Sequence, residues 1–180
     1  MMLRRGLLGA SAAMTLAACG GGIIRRDPRM EALGGHLPRL PGGRLKALAD
    51  GRETSLSTLV AGRVAVVDFW ATWCEACRPV SRSIGLLAKV HARTDLLVAA
   101  VAVGEDKDSV ERFIAARPPQ YPIYLDSELE VIGALGTKEL PTVMVVDRYG
   151  QVRAVRAHVD MEVVRLVDDL LGVKAPEKQP

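Results

Sequence analysis

The segment most informative about the fold is residues 68–77, Asp68-Phe69-Trp70-Ala71-Thr72-Trp73-Cys74-Glu75-Ala76-Cys77. In it the end of an apolar run is followed closely by two cysteines that are separated by two residues. The run as a whole, residues 63–71, is nearly continuous in β-branched, small and aromatic side chains, which predicts a strand buried on both faces. After the cysteines, Val80, Ile84 and Leu87 recur at helical spacing, which predicts a helix from residue 74 to about residue 92. The cysteines are therefore expected where a buried strand passes into a helix.

That position favours thiol chemistry, because the amino terminus of a helix stabilises negative charge and the thiolate is the reactive form of cysteine. Attack by Cys74 on a substrate disulfide would give a mixed disulfide, which Cys77 would then resolve. Two other interpretations stay open. A structural zinc site needs four ligands, and only His36, His91 and His158 could complete it. A purely structural disulfide would close a loop so short that it removes little chain entropy.

The rest of the chain predicts an α/β fold. A second buried strand is expected at residues 96–103, and strand, helix and strand in this order imply a parallel pair with a right-handed crossover. A small hairpin around Asp50-Gly51 is expected within residues 42–59, with a short turn or helix at 55–60. Further elements are expected at residues 108–117 (helix), 121–125 (short strand), 128–135 (helix), 141–147 and 151–157 (strands of a hairpin with its turn at Tyr149-Gly150) and 161–171 (helix).

The length and the charge of the chain limit the classes of protein to which it can belong. A chain of 180 residues suits one compact domain with additional terminal sequence. It has 24 basic and 21 acidic residues, and the two signs are interspersed along the sequence. Nucleic-acid-binding proteins concentrate Lys and Arg on one face, so no nucleic-acid partner is expected.

The amino terminus has the order of a secretory signal, which predicts a signal peptide over residues 1–18. Arg4 and Arg5 precede an apolar stretch too short to span a bilayer, and small residues follow before Cys19. Leu16-Ala17-Ala18-Cys19 resembles the bacterial lipobox, which implies that Cys19 is lipidated after signal cleavage and anchors the protein to a membrane. An ordinary cleavable signal stays open, and so does the export route, because the Arg pair also resembles a twin-arginine signal. Residues 19–43 lack periodicity and are expected to form a tether.

The segment 68–77 resembles the active-site segment of the thioredoxin superfamily, and most closely the TlpA/ResA-like thiol-disulfide oxidoreductases of bacterial envelopes. Ala49-Asp50-Gly51 and Leu140-Pro141-Thr142 extend the resemblance to about residues 44–172. The resemblance implies a thioredoxin-like three-layer fold, with a central mixed β-sheet flanked by helices and an N-terminal β-hairpin extension. It places one domain at residues 44–173 and leaves 174–180 as a flexible tail.

The resemblance also implies roles for single residues. Pro141 matches the family's cis-proline, which leaves the backbone of Leu140 free to pair with an extended substrate segment. Asp68 matches a buried acid that takes up a proton when Cys77 attacks. Trp73 would be a partly exposed aromatic cover beside the nucleophile. Alternatives stay open: an ordinary strand-start proline at 141, an exposed edge-strand acid at 68 and simple packing of the tryptophan.

Further observations bear on these roles. No Lys lies on the predicted strand 96–103 to partner the acid, which favours a raised pKa for Asp68. Ala76 replaces the proline common between the cysteines. Arg82 stands where a helix proline is expected, while Pro79 lies nearer the active site, so any kink is expected there. Val80 stands where ResA-like proteins often carry a glutamate.

The cysteine pair predicts a dithiol reductant of partner-protein disulfides, and the resemblance to TlpA/ResA-like proteins implies that it is of the cytochrome c maturation or copper-centre assembly type. It is expected to be a monomer in the envelope facing the periplasm, fed electrons by a membrane thiol donor. Its redox-active disulfide would be its only cofactor, with no metal. A disulfide oxidase or isomerase would use the same residues. A copper-binding assembly factor would use Cys74, Cys77 and His158 as ligands, but copper chaperones of the Sco type space their cysteines one residue further apart.

Overall fold

The computed structural model describes residues 37–173, and within them it contains seven strands and five helices. The strands are β1 Leu45–Ala47, β2 Glu53–Thr54, β3 Val64–Trp70, β4 Leu96–Val103, β5 Ile123–Asp126, β6 Thr142–Val146 and β7 Val152–Arg156. The helices are α1 Leu56–Val60, α2 Cys77–Val90, α3 Lys107–Ile114, α4 Glu130–Leu135 and α5 Met161–Leu171. None of the helices in this part of the chain is long and apolar enough to cross a membrane.

All seven strands form one mixed sheet in the order β2-β1-β5-β4-β3-β6-β7. The central strand β3 pairs parallel with β4 and antiparallel with β6. Every residue of β3 and of β4 is buried, which confirms the strand pair predicted from the two apolar runs. The β1–β2 hairpin extends the sheet through an antiparallel contact between β1 and β5. The predicted hairpin extension and the β6–β7 hairpin are therefore both confirmed.

Helices cover both faces of this sheet. Successive residues of a strand point to opposite faces, and the neighbours Val66 and Val67 accordingly belong to different cores. Val67 packs with α1 and α4, whereas Val66 packs with α2 and α5. A third cluster joins Val110 of α3 to Cys74 and Cys77. This is the predicted three-layer fold.

The helix after the cysteines corrects one prediction, because it begins at Cys77 and not at Cys74. Residues 74–76 form a turn, in which the Cys77 N–H donates to the Cys74 carbonyl at 3.1 Å. Pro79 is the third residue of α2, where a backbone N–H would have no partner inside the helix. Pro79 therefore removes no hydrogen bond of the helix. The physical reason for expecting a kink near it, a lost hydrogen bond, is absent.

Other boundaries differ by one to three residues for local reasons. The Asp106 carboxylate accepts the Ser109 N–H at 2.8 Å and caps α3 one residue earlier than predicted. Leu129 has a left-handed φ of 60°, so α4 starts only after it. The Asp126 carboxylate accepts the N–H groups of the second and third residues of that helix. The larger differences are 107–114 instead of 108–117, 123–126 instead of 121–125, and 130–135 instead of 128–135, whereas β3, β6, β7 and α1 differ from their predicted bounds by only one residue at an end.

The expected boundary between tether and domain, at residues 43 and 44, stays a prediction. Just before it, Leu40 packs against the core and Pro41 is buried. The signal peptide, Cys19 and residues 174–180 lie outside the described residues.

Candidate active site

The two cysteines form a disulfide at the amino-terminal end of α2, with an S–S distance of 2.08 Å. Strand β3 leads into them through a turn in which the Cys74 N–H donates to the Ala71 carbonyl at 3.1 Å. The Cys74 side chain is 6% exposed and that of Cys77 is 1% exposed. Cys74 is thus the sulfur nearer to solvent, and it lies beside the positive end of the helix dipole.

Asp68 lies in the middle of the sheet and is completely buried, which excludes the exposed edge-strand alternative. Its Oδ2 atom accepts a hydrogen bond from the Ser81 hydroxyl at 2.9 Å. Its Oδ1 atom is buried and has no hydrogen-bond partner among residues 37–173. Burial raises the pKa of Asp68 to about 7, and the Ser81 hydrogen bond opposes the rise only in part. The carboxyl can therefore take up or release a proton near neutral pH.

Sequence reasoning missed Ser81. It lies four residues after Cys77 on α2, so the two side chains share one helix face. The Tyr121 hydroxyl donates to the Ser81 carbonyl at 3.4 Å, and its pKa is raised by burial and by the charge of Asp68. The i,i+4 spacing was a usable signal for Ser81, whereas nothing local indicated Tyr121.

A second acidic residue, Glu105, holds the loop that precedes the cysteines, and no feature of the sequence had indicated this role. Glu105 is 8% exposed, and its Oε1 atom accepts the Thr72 N–H at 3.0 Å and the Thr72 hydroxyl at 2.7 Å. The Ser127 hydroxyl donates to the Glu105 carbonyl at 2.7 Å and helps to hold the acid in place. The hydrogen bonds between Thr72 and Glu105 therefore connect the turn that precedes Cys74 to the segment that follows β4.

The residues expected to contact substrate lie around the same loop. The Leu140-Pro141 peptide bond is cis, and Leu140 is half-buried against the cluster that contains Cys74 and Cys77. The Trp73 side chain is 70% exposed, so it is not a core residue. Their roles toward a substrate stay predictions.

The described histidines do not lie with the cysteines. His91 is 4% exposed and faces Asp168 at 3.3 Å. His158 is 60% exposed and lies 3.5 Å from Asp160. No cluster of three or more His, Cys, Asp or Glu side chains placed to hold a metal ion occurs within residues 37–173. His36 lies outside those residues.

Residues 38–171 match the family model described as Redoxin. The thiol-disulfide oxidoreductase ResA of Geobacillus thermodenitrificans is 32% identical over 106 residues, covering 59% of this chain and 60% of that protein. ResA of Bacillus subtilis is 30% identical over 103 residues, covering 57% of each. The chain thus spans about three fifths of the length of these relatives.

Solved structures agree with the fold. The structure of MTB dsbF in its mixed oxidized and reduced forms superimposes with a TM-score of 0.64 at 26% identity, covering 75% of this chain and 99% of that one. StoA from Bacillus subtilis has a TM-score of 0.58 at 20% identity, covering 71% of this chain and 96% of that one. The second likeness supports the fold alone.

Proposed function

The chain belongs to the Redoxin family, and from this premise we propose that it is a thiol–disulfide oxidoreductase that reduces disulfides of partner proteins. One observation carries the proposal: a Cys74–Cys77 disulfide lies at the start of α2, and one turn further along the same helix Ser81 hydrogen-bonds Asp68, a buried acid whose pKa is raised to about 7. The likeness to proteins named ResA supports the same activity.

In the proposed reaction the chain starts in its dithiol form. The Cys74 thiolate attacks one sulfur of a partner disulfide, and the other partner sulfur leaves as a thiolate. Cys77 then loses its proton and attacks the Cys74 sulfur, which releases the second partner thiolate and closes the Cys74–Cys77 disulfide. The partner gains two electrons and the chain loses two. An external dithiol must return those electrons, and we propose a membrane thiol donor for this step.

Asp68 is the proposed acceptor of the Cys77 proton. An ordinary cysteine has a pKa of about 8.5, and a carboxylate with a pKa of about 7 can accept a proton from such a thiol at modest cost. Ser81 holds the carboxylate against α2, one helical turn beyond Cys77. We expect its hydroxyl to keep the Asp68 carboxylate directed at that helix face.

Leu140 and Pro141 are the proposed substrate contacts, with Trp73 as an exposed cover. An extended segment of the partner would pair with the backbone of Leu140 and place its disulfide at Cys74. The packing of Leu140 on the cysteine cluster supports this arrangement.

We further propose that the protein works in the bacterial envelope, facing the periplasm. Its parts would be a signal peptide over residues 1–18, a lipidated Cys19 with a tether to residue 43, a thioredoxin-like domain over 44–173 and a tail over 174–180. Detergent partitioning tests the anchor: the full chain should enter the detergent phase and Cys19→Ala should not. Equal partitioning of both would refute the anchor without affecting the redox proposal.

Cytochrome c maturation or copper-centre assembly is the proposed pathway, on the resemblance to TlpA/ResA-like proteins. Trapping of mixed disulfides between this protein and its partners tests both the activity and the pathway. Cys77→Ser should accumulate mixed disulfides on Cys74 in the native cell, and the attached proteins identify the substrates. The matched variant Cys74→Ser should trap none.

If Cys77→Ser and Cys74→Ser trapped partner proteins equally, the assignment of Cys74 as the nucleophile would be overturned. If the parent protein exchanged with no disulfide at all, the proposed function would be overturned. Equilibration of the oxidised protein with glutathione then gives the direction of transfer. A reductant should have a potential well below that of the glutathione pool, whereas an oxidase or isomerase should not.

A further inference from the structure

A groove of about 600 Å³ runs from the active-site cysteines along α2. Its walls include Cys74, Cys77 and Ser81 at one end and the segment that follows α3 on the opposite side. Neither Leu140 nor Pro141 lines it. The groove therefore reaches the sulfurs from a different side than the proposed substrate contacts of the cis-proline loop.

The charge of this groove differs from the interspersed pattern of the chain. Arg78, Arg82, Lys89 and Arg117 line it, and no Asp or Glu does. The first three are the only charged residues of α2, and their spacing places them on one helix face. None of the four has an ion-pair partner among residues 37–173. Four unpaired cations around one concave surface attract an anionic partner.

The groove also presents apolar surface. Leu86 is 63% exposed and Phe113 is 42% exposed, and both line it. The Phe113 ring lies against Trp70, with a centroid distance of 5.5 Å, so the apolar wall continues into the core beside the cysteines. An occupant that covers this wall needs large apolar side chains as well as negative charge.

The third feature of this groove is a glycine, Gly85. It lies in the interior of α2 and lines the groove, and a Cβ atom added there would meet nothing within 4 Å. A helix-interior glycine lowers stability by about 0.5–1 kcal/mol relative to alanine, and no neighbour requires it here. Its missing side chain leaves the middle of the groove open.

We propose that this groove docks an acidic, amphipathic segment of the partner protein, adjacent to the partner's disulfide. The inference rests on the proposed function and names the chemistry of its substrate: Glu and Asp side chains facing α2, with apolar side chains on Leu86 and Phe113. A flat anionic membrane surface fits less well, because the groove is concave and ends at the two sulfurs.

Binding to the full-length oxidised chain tests the proposal independently of activity. The probes are two cysteine-free peptides that share their apolar residues, one carrying Glu and the other Lys at the remaining positions. The parent should bind the Glu peptide at least about tenfold more tightly at low ionic strength. The preference should shrink as salt shortens the Debye length from about 30 Å at 0.01 M to about 10 Å at 0.1 M.

Two pairs of variants localise the binding. Arg82→Glu combined with Lys89→Glu should abolish the preference for the Glu peptide, whereas the exposed Arg93→Glu, which lies outside the groove, should weaken it only slightly. Gly85→Leu should weaken binding of the Glu peptide by about tenfold, since it fills the groove and removes about 1.4 kcal/mol of contact. Gly133→Leu is its control, because Gly133 is also helical with open space around it.

Equal binding of both peptides by the parent would overturn the inference. So would a Glu-peptide affinity that is unchanged in the groove variants. A third result would also overturn it: loss of binding to phosphatidylglycerol vesicles in the groove variants without any change in peptide binding would assign the cations to a membrane. Failure of disulfide exchange, by contrast, refutes the proposed function and is seen in a separate assay.

Discussion

Replacing Asp68 by Asn removes a carboxyl that the fold holds in the middle of its sheet with a pKa of about 7, against an ordinary value of 3.8. The folded chain therefore keeps the Asp68 proton up to about pH 7, whereas the unfolded chain releases it near pH 3.8. The folded state binds more protons in this window, so the Asp68 contribution to the free energy of unfolding falls as pH rises from about 4 to about 7.

The size of the effect follows from the two pKa values. They differ by about 3, and each pKa unit corresponds to about 1.4 kcal/mol, which gives a penalty of about 4 kcal/mol above pH 7. The Asn side chain escapes this penalty. It leaves amide hydrogens without acceptors, which costs about 1–3 kcal/mol at every pH. The expected signature is a stability difference between variant and parent that moves in favour of the variant between about pH 4 and about pH 7 and is constant above.

Denaturant titrations of the oxidised full-length proteins from about pH 4.5 to about pH 9 measure this difference. Asp147→Asn is the control. Burial of Asp147 favours a higher pKa, but hydrogen bonds from Gln151, Arg153 and Tyr149 outweigh it and hold the pKa below its ordinary value. Its stabilising contribution is lost only below that value, so the control difference should be flat over the same range. A flat difference for Asp68→Asn as well would refute the reasoning.

Other substitutions test single contacts. Ser81→Ala removes the hydroxyl that lowers the Asp68 pKa, so the pH midpoint of the resolving step should rise by about 1 unit, measured by rapid-quench kinetics; an unmoved midpoint would separate Ser81 from the reaction. Thr72→Val removes the hydroxyl that lies 2.7 Å from Glu105 and should lower the free energy of unfolding by about 1.5–3 kcal/mol, whereas Thr72→Ser should not. Asp160→Ala removes the cap of α5 and should lower stability by about 1 kcal/mol in the same titration; Asp160→Asn should retain most of it.

The elements around the cysteines were predictable because their signals are local. A continuous apolar run predicts a buried strand wherever it occurs, and the residues that follow predict a helix from their own spacing. The two-residue gap between Cys74 and Cys77 allows a disulfide with little help from the rest of the chain. The start of α2 was misplaced by one turn, since capping geometry depends on where the preceding turn places its carbonyls.

The strand, the cysteine pair and the helix followed from the sequence alone, because each depends on residues close together in the chain. The residues that surround them became known only from the folded chain. Ser81 meets Asp68, Glu105 meets Thr72 and Arg117 faces α2 across a groove because the sheet order brings separated segments together. Such contacts depend on burial and on the packing of whole layers, and these quantities are properties of the folded chain that no short segment carries.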